Sequence, residues 1–249
     1  MNGRPVISSR RTFITGLTSA GGLLLAGCSE SQPPTYGNIL RMGDVLTYAA
    51  HRTLLPGQSL VKEYKRSEIS SFPATGTTNP GEPGKPFYSE AWKRLHESEF
   101  ANWGLSVEGS VARPGSFSLT DLQKFPPRTQ ITRHTCEEGW TAIGEWTGVP
   151  LGQVLTSAGI LPGARFVNFY AFDGYMESID LLDAFHPQTI LAYGMNGSKL
   201  PVQHGAPVRL RVETQVGYKS IKYLQRIVVT DEFVDMTDIN SGWSWYVGI

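Results

Sequence analysis

Cysteine is nearly absent from this sequence, because its 249 residues contain only Cys28 and Cys136. A disulfide framework is therefore excluded, and so is a zinc site built on several cysteines. A charge excess is also missing, since 22 basic residues balance 22 acidic residues. We therefore expect no nucleic-acid partner. The apolar stretch near the N-terminus is shorter than the roughly 20 residues that a bilayer span requires.

The first residues carry an export pattern instead. "SRRTFIT" resembles the twin-arginine signal, and an apolar stretch then continues to "LLLAGC", which ends at Cys28. "LAGC" resembles a lipoprotein box, in which Cys28 would be the lipid attachment site; cleavage nearby without a lipid is the alternative. We expect a periplasmic or otherwise extracytoplasmic protein. Because the twin-arginine route carries folded proteins, the signal favours a cofactor that is inserted before export.

The remaining chain divides by pattern into an arm and a body. Residues 1-28 are the signal, 29-100 form a partly irregular N-terminal arm that packs on the body, and 101-249 form the cofactor-binding domain. The arm contains "SFPATGTTNPGEPGKPF", whose prolines and glycines exclude a helix or a central strand. "SEAWKRLHESEF" predicts a short helix that Ser89 caps.

The body alternates β-rich runs with short helical patterns. Strands are predicted at "WGLSVEGSV", "TQITRH", "ARFVNFYAF", "TILAYGM", "LPVQHGAPVRLRV" and, as a long final strand, "YKSIKYLQRIVVTDEF". Helices are predicted at "SLTDLQKF", capped by Thr120, at "VPLGQVLTSAGI", ended by Gly159, and at the short "LLDAF". Together these predicted elements indicate an α+β fold that consists mainly of strands, with short helices between them.

Cys136 is the candidate for chemistry. It ends a predicted strand, where a side chain can project into a site, and Arg133 and His134 could favour its thiolate. A thiolate serves either as a nucleophile or as a soft metal ligand. A cysteine hydrolase would pair Cys136 with His134 or His204. A small buried hydrophobic residue is the remaining interpretation, and it would suit an exported binding lipoprotein without catalysis.

The surrounding motifs indicate which use applies. "RHTCEEGW" with "WTGVPLGQVL" resembles the metal-binding signature of the sulfite oxidase family of molybdopterin-dependent oxidoreductases. "YMESIDLLDAFHPQTILAYGMNGSKLPVQHGAPVRLRV" and "GYKSIKYLQRI" resemble the family's next segments, in the same order. The resemblance covers about residues 100 to 232 and is nearest to the compact periplasmic type, similar to the catalytic subunit of the protein-methionine-sulfoxide reductase. "MNGSKLPVQHG", however, is nearer to the sulfite oxidases.

The resemblance implies a sulfite-oxidase-type fold and a pyranopterin cofactor that carries molybdenum. It makes Cys136 the metal ligand, and Arg133 a second catalytic candidate that faces the cofactor or an anion. The segment "FPATGTT" would also contact the cofactor, and Trp140, Trp146 and the tail "GWSWY" would form pocket walls. The implied cofactor-binding residues are His134, His204, Arg209, Ser220, Ile221 and Lys222.

The expected reaction is a two-electron oxygen-atom transfer on a small sulfur-containing or other oxyanion substrate. We expect no haem in this chain. Electrons would therefore pass through a separate protein, either a membrane b-type cytochrome or a soluble c-type cytochrome.

Overall fold

The computed structural model describes residues 42–55, 57, 59–237 and 242–249. The twin-arginine motif and Cys28 lie outside the described residues. The strands are β1 Gly104–Gly109, β2 Gly115–Ser118, β3 Arg128–Thr135, β4 Thr141–Pro150, β5 Phe166–Ala171, β6 Met176–Asp180, β7 Ile190–Met195, β8 Ser198–Lys199, β9 Arg209–Arg211 and β10 Leu224–Thr230. The α-helices are α1 Met42–Leu54, α2 Glu90–Glu97, α3 Leu119–Gln123, α4 Leu151–Ala158 and α5 Leu181–Ala184.

The strands form two sheets. The first sheet has the order β2-β1-β10-β5-β6, in which only the β1–β10 pair is parallel. The second sheet has the order β3-β4-β7-β8, and β9 also pairs with β7. β3 and β4 form a hairpin whose last pair is Thr135 with Thr141. Cys136 therefore stands at the first position of the turn that joins the edge strand β3 to β4.

The main core packs side chains of both sheets against α4. It includes Leu105 and Ile227 from the first sheet and Val149 and Leu210 from the second, all with no exposed surface. α4 buries positions 151, 154, 155 and 158, the spacing of one helix face. Its end at Gly159 has φ +73°, and the N–H of this glycine donates to the carbonyls of the last turn. The predicted glycine cap is thus confirmed.

α1 docks on the body through charged groups, and the sequence did not predict this helix. Arg52 Nη2 lies 2.8 Å from Asp180 Oδ2 and 2.7 Å from Asp183 Oδ2. The Tyr48 hydroxyl donates to Asp180 Oδ2 at 2.9 Å. No helix among the described residues is both long and apolar enough to cross a bilayer.

Several predicted elements are confirmed and others need correction. α2 begins after Ser89, whose side chain accepts from the Trp92 amide as predicted. The cap of α3 is Ser118 and not Thr120, because Ser118 and Asp121 form a reciprocal capping box. The proline- and glycine-rich part of the arm contains no helix or strand, as expected.

The two longest predicted strands are wrong over much of their length. Of "LPVQHGAPVRLRV" only Arg209–Arg211 is a strand, and a 3-10 turn occupies Val202–His204. Of the final strand only β10 exists, because Gly217–Lys219 form another 3-10 turn. Both departures lie beside the site described next. The α+β prediction, with mixed sheets and short helices, is confirmed.

Candidate active site

A cavity of about 440 Å³ lies where irregular segments from both sheets meet. Its walls come from residues 72–77 of the arm, from the β3–β4 turn, from the β5–β6 turn, and from the two segments that flank β9. Seven of the nine predicted site residues line it: His134, Cys136, His204, Arg209, Ser220, Ile221 and Lys222. Residues separated by up to 88 positions in sequence therefore share one site. The segment "FPATGTT" also lines the cavity, where the resemblance placed it.

Arg133 is not part of the cavity, which corrects its prediction as a catalytic residue. Its side chain is exposed, and the guanidinium carbon lies 5.3 Å from the centre of the Tyr64 ring. Buried and exposed positions alternate along β3, and His134 occupies the buried face. Adjacent strand residues point to opposite faces, so Arg133 must point away when His134 points inward.

The Cys136 thiol is buried and faces the cavity. Its exposed fraction is 6%, and Sγ lies 3.5 Å from Glu137 Oε2. Burial raises the pKa of the thiol to about 11, against a hydrogen bond from the Glu138 amide that lowers it and the Glu137 charge that raises it further. The expectation that Arg133 and His134 would favour the thiolate is therefore wrong. A coordinated metal ion, in contrast, deprotonates a thiol outright.

The cysteine hydrolase interpretation loses its support for the same reason. A nucleophilic cysteine needs a lowered pKa or a neighbouring base. Among the described residues, no histidine forms a hydrogen bond to Cys136. Burial, with Arg211 next in importance, lowers the pKa of His134 to about 2, and burial followed by Arg209 lowers that of His204 to about 4.

Two cations face the cavity without a carboxylate as hydrogen-bond partner. Arg209 is 5% exposed, and its Nη1 and Nη2 donate to the carbonyls of His204 at 3.0 Å and Ser220 at 2.6 Å. Lys222 Nζ donates to the carbonyls of Thr75, at 2.8 Å, and Thr77. Burial, reinforced by Arg211, lowers the pKa of Arg209 to about 9, and burial lowers that of Lys222 to about 8. An anion in the cavity would offset both costs.

Backbone amides complete this anion-binding wall. Within the described part of the chain, the amides of Ile221 and Lys222 donate to no protein acceptor. The Ser220 amide does not join them, because it donates to the Gly217 carbonyl at 2.9 Å. The Ser220 hydroxyl accepts from the Val212 amide at 3.2 Å. Successive unpaired amides beside cations form an anion-binding concavity.

The structure adds residues that the sequence did not reveal. Asp173 and Tyr175, from the β5–β6 turn, line the cavity, and burial raises the pKa of the Asp173 carboxyl. Arg211 lies behind the wall, where its Nη1 is 2.8 Å from His134 Nδ1. Trp140 lines the cavity as predicted, whereas Trp146 is fully buried beneath it, 5.1 Å from the Arg209 guanidinium carbon.

These residues fit a cofactor that joins a soft metal to an anionic group. A cysteine sulfur is a ligand for a soft metal centre, and Arg209, Lys222 and two free amides suit a phosphate. The fold and the site thus define a cofactor-dependent redox protein. Residues 93–237 match the family model described as the oxidoreductase molybdopterin binding domain. The chain belongs to that family and is a molybdopterin-dependent oxidoreductase.

Similar proteins agree with this assignment. The chain is 32% identical over 243 residues to an Azospira oryzae protein named for a protein-methionine-sulfoxide reductase subunit, YedZ1, and the match covers 97% of this chain and 88% of that protein. It is 32% identical over 241 residues to the protein-methionine-sulfoxide reductase catalytic subunit MsrP of Xanthomonas campestris pv. campestris, covering 89% of this chain and 70% of the relative. The crystal structure of the sulfane dehydrogenase SoxCD from Paracoccus pantotrophus has a TM-score of 0.50 at 24% identity. That likeness covers 53% of this chain and 39% of the SoxCD chain, and it supports the predicted sulfite-oxidase-type fold.

Proposed function

We propose that this chain is the catalytic subunit of an exported oxidoreductase that reduces a neutral, sulfur-containing substrate, with methionine sulfoxide as the model. The observation that carries the proposal is the meeting of Cys136, Arg209 and Lys222 in one cavity. Reduction of a sulfoxide consumes two electrons and two protons and yields a thioether and water. The bound molybdenum cofactor supplies the two-electron oxygen-atom transfer.

The protein's own residues hold and orient this cofactor. Cys136 provides one sulfur ligand from a turn that is fixed by the Cys136 amide bonding to the Trp140 carbonyl at 2.9 Å. Arg209, Lys222 and the amides of Ile221 and Lys222 hold the phosphate. Arg209 and Lys222 also donate hydrogen bonds to the carbonyls of Ser220 and Thr75. Binding of the phosphate should therefore also stabilise the conformation of these two wall segments.

The charges next to Cys136 favour a neutral substrate over sulfite. Glu137 and Glu138 line the cavity beside the thiol, so an oxyanion that approaches Cys136 meets two acidic side chains. Phe72 and Trp140 add apolar wall, and their rings lie 5.8 Å apart in an edge-to-face arrangement. Aromatic rings suit the sulfur and methyl groups of a methionine side chain. The names of the relatives agree with this substrate class.

The remaining parts of the proposal concern location and electron supply. The twin-arginine motif supports export as a folded protein, and Cys28 is the proposed lipid attachment site. Two relatives are named as subunits of a reductase, which supports a separate electron-transfer partner, such as a membrane b-type or a soluble c-type cytochrome. Mass spectrometry of the exported protein tests the anchor, because a free Cys28 thiol or a mature chain without Cys28 contradicts it.

Metal analysis combined with one substitution tests the core of the proposal. Wild-type protein should contain about one molybdenum per chain and should reduce methionine sulfoxide with a reduced viologen as artificial donor. Cys136→Ser should remain folded and lose turnover. Arg133→Gln is the matched control, because it changes a charge three residues away but outside the cavity, and it should retain both properties.

Two results would refute the proposal. Full turnover and full molybdenum content in Cys136→Ser would show that the thiol is not a ligand. Faster oxidation of sulfite, measured with an artificial electron acceptor, than reduction of any sulfoxide would show that the acidic side chains do not select against an anion.

A further inference from the structure

His134 presents one unpaired ring nitrogen on the cavity side. The residue is 7% exposed and lines the cavity. Its Nδ1 lies 2.8 Å from Arg211 Nη1. A guanidinium has donors and no acceptor, so Nδ1 must accept this hydrogen bond and Nε2 must carry the ring proton. In the described part of the chain, Nε2 forms no hydrogen bond to protein.

Arg211 is held by Glu213 so that its Nη1 points at His134. Its Nε and Nη2 donate to the two carboxylate oxygens of Glu213 at 2.9 and 2.8 Å. Gln130 donates to Glu213 Oε1 at 3.1 Å from the other side. The Arg211 guanidinium carbon also lies 4.5 Å from the centre of the Trp146 ring. The Arg211–Glu213 ion pair is 1% exposed or less, so water does not compete for these contacts.

The His134 ring is also held from the opposite side. A Cβ added to Gly217 would lie 2.5 Å from His134 Nε2, which shows how closely the backbone of the 3-10 turn approaches the ring. The ring therefore has little freedom to rotate. Its tautomer is therefore set by Arg211 behind the cavity wall, and its orientation is further limited by Gly217, which lines the cavity.

We propose that Arg211, held by Glu213, is a positioning residue that locks His134 as an Nε2–H donor toward the cavity contents. The acceptor is a lone pair on an oxygen or nitrogen, belonging to the bound cofactor or to the substrate. The identity of the acceptor rests on the proposed function, whereas the tautomer lock does not. Second-sphere partners commonly fix histidine orientation in this way.

Nitrogen-15 NMR of the cofactor-loaded wild-type protein tests the lock directly. The chain has five histidines, and a His134→Gln variant assigns the signal. We expect the long-range proton–nitrogen pattern of a neutral ring that is protonated at Nε2. A proton on Nδ1 overturns the proposal, and this result needs no turnover, so it is distinguishable from failure of the proposed function.

Variants then identify the acceptor. Arg211→Met with Glu213→Met removes both charges of the buried pair, a change that proteins often tolerate. We expect the single tautomer to be lost. If the acceptor belongs to the cofactor, molybdenum content should fall; if it belongs to the substrate, KM for methionine sulfoxide should rise about tenfold at full molybdenum content, the effect of about one hydrogen bond.

Two further variants separate positioning from general loss of structure. Arg211→Lys keeps a cationic donor and should restore the Nε2–H tautomer. Arg133→Gln changes an exposed residue next to His134 that lies outside the cavity and outside the Arg211–Glu213 contacts, and it should leave the tautomer, the molybdenum content and KM unchanged. If the double variant retains the tautomer, the molybdenum content and KM of the wild type, Arg211 does not position His134.

Discussion

The substitution Arg209→Met separates a structural arginine from a ligand-binding one. Arg209 is buried and donates only to main-chain carbonyls, those of His204 and Ser220 at 3.0 and 2.6 Å, with a third at 3.5 Å. A buried cation in such a setting is costly in the empty protein and favourable when a phosphate fills the cavity. The effect of the substitution should therefore depend on whether the cofactor is bound.

The magnitude follows from the opposing contributions at Arg209. Its pKa of about 9, against an ordinary value of 12.5, corresponds to a cost of roughly 5 kcal/mol for keeping the charge buried. Hydrogen bonds of a charged group to two carbonyls return about 1.5–3 kcal/mol each. These contributions nearly cancel, so the free energy of unfolding of the cofactor-free variant should lie within about 2 kcal/mol of that of the cofactor-free wild type. Losing one partner of a buried ion pair with the phosphate costs about 3–5 kcal/mol.

Thermal unfolding of four samples measures this difference: wild type and Arg209→Met, each produced with cofactor and in a host that makes no molybdopterin. At this chain length about 1 kcal/mol shifts Tm by about 2–4 °C. The gain in Tm on loading should therefore be smaller in the variant by about 6–20 °C. Arg133→Met, at an exposed arginine outside the cavity, should show the wild-type gain. An equal loss of Tm with and without cofactor would mean that Arg209 serves only the fold.

Three other predictions concern two residues of the cavity wall and one helix cap away from the cavity. Gly217→Ala should destabilise the protein by about 1–3 kcal/mol through its clash with His134, and adding His134→Ala should recover part of that loss in chemical denaturation. Lys222→Gln should weaken cofactor retention about tenfold and raise amide hydrogen exchange in the arm segment around Thr75 and Thr77, because this segment loses the contacts of its carbonyls with the Lys222 ammonium; unchanged exchange there would contradict the contact. Ser118→Ala should cost about 1 kcal/mol through its helix cap, with turnover per molybdenum unchanged.

The sequence located the site better than it described the backbone around it. Cys136 was placed correctly at the end of a strand, because β-rich alternation and the following glycine mark a turn. Arg133 and His134 could not both face the cofactor, since adjacent strand residues point to opposite faces. The alternation of side-chain direction could be read from the sequence, and it would have excluded either Arg133 or His134 from the cavity.

Other features depend on contacts that local patterns do not contain. Arg211 acts through a histidine 77 positions away, and Asp173 reaches the cavity only because β5 and β6 form a hairpin there. α1 was missed because its docking depends on Asp180 and Asp183, which are more than a hundred positions further along the chain. Long-range pairing of this kind has no period in the sequence.

The failed strand prediction at "YKSIKYLQRI" follows from the chemistry of the site. A continuous strand would commit the amides of Ile221 and Lys222 to a neighbouring strand, because ladder positions pair their N–H groups. The chain instead forms a 3-10 turn at Gly217–Lys219 and becomes β10 only at Leu224. The interval leaves two amides unpaired beside Arg209 and Lys222. The same amides can either extend the sheet or bind an anion, but not both. A β-rich pattern that does not form a strand next to buried cations is therefore itself an indication of the site.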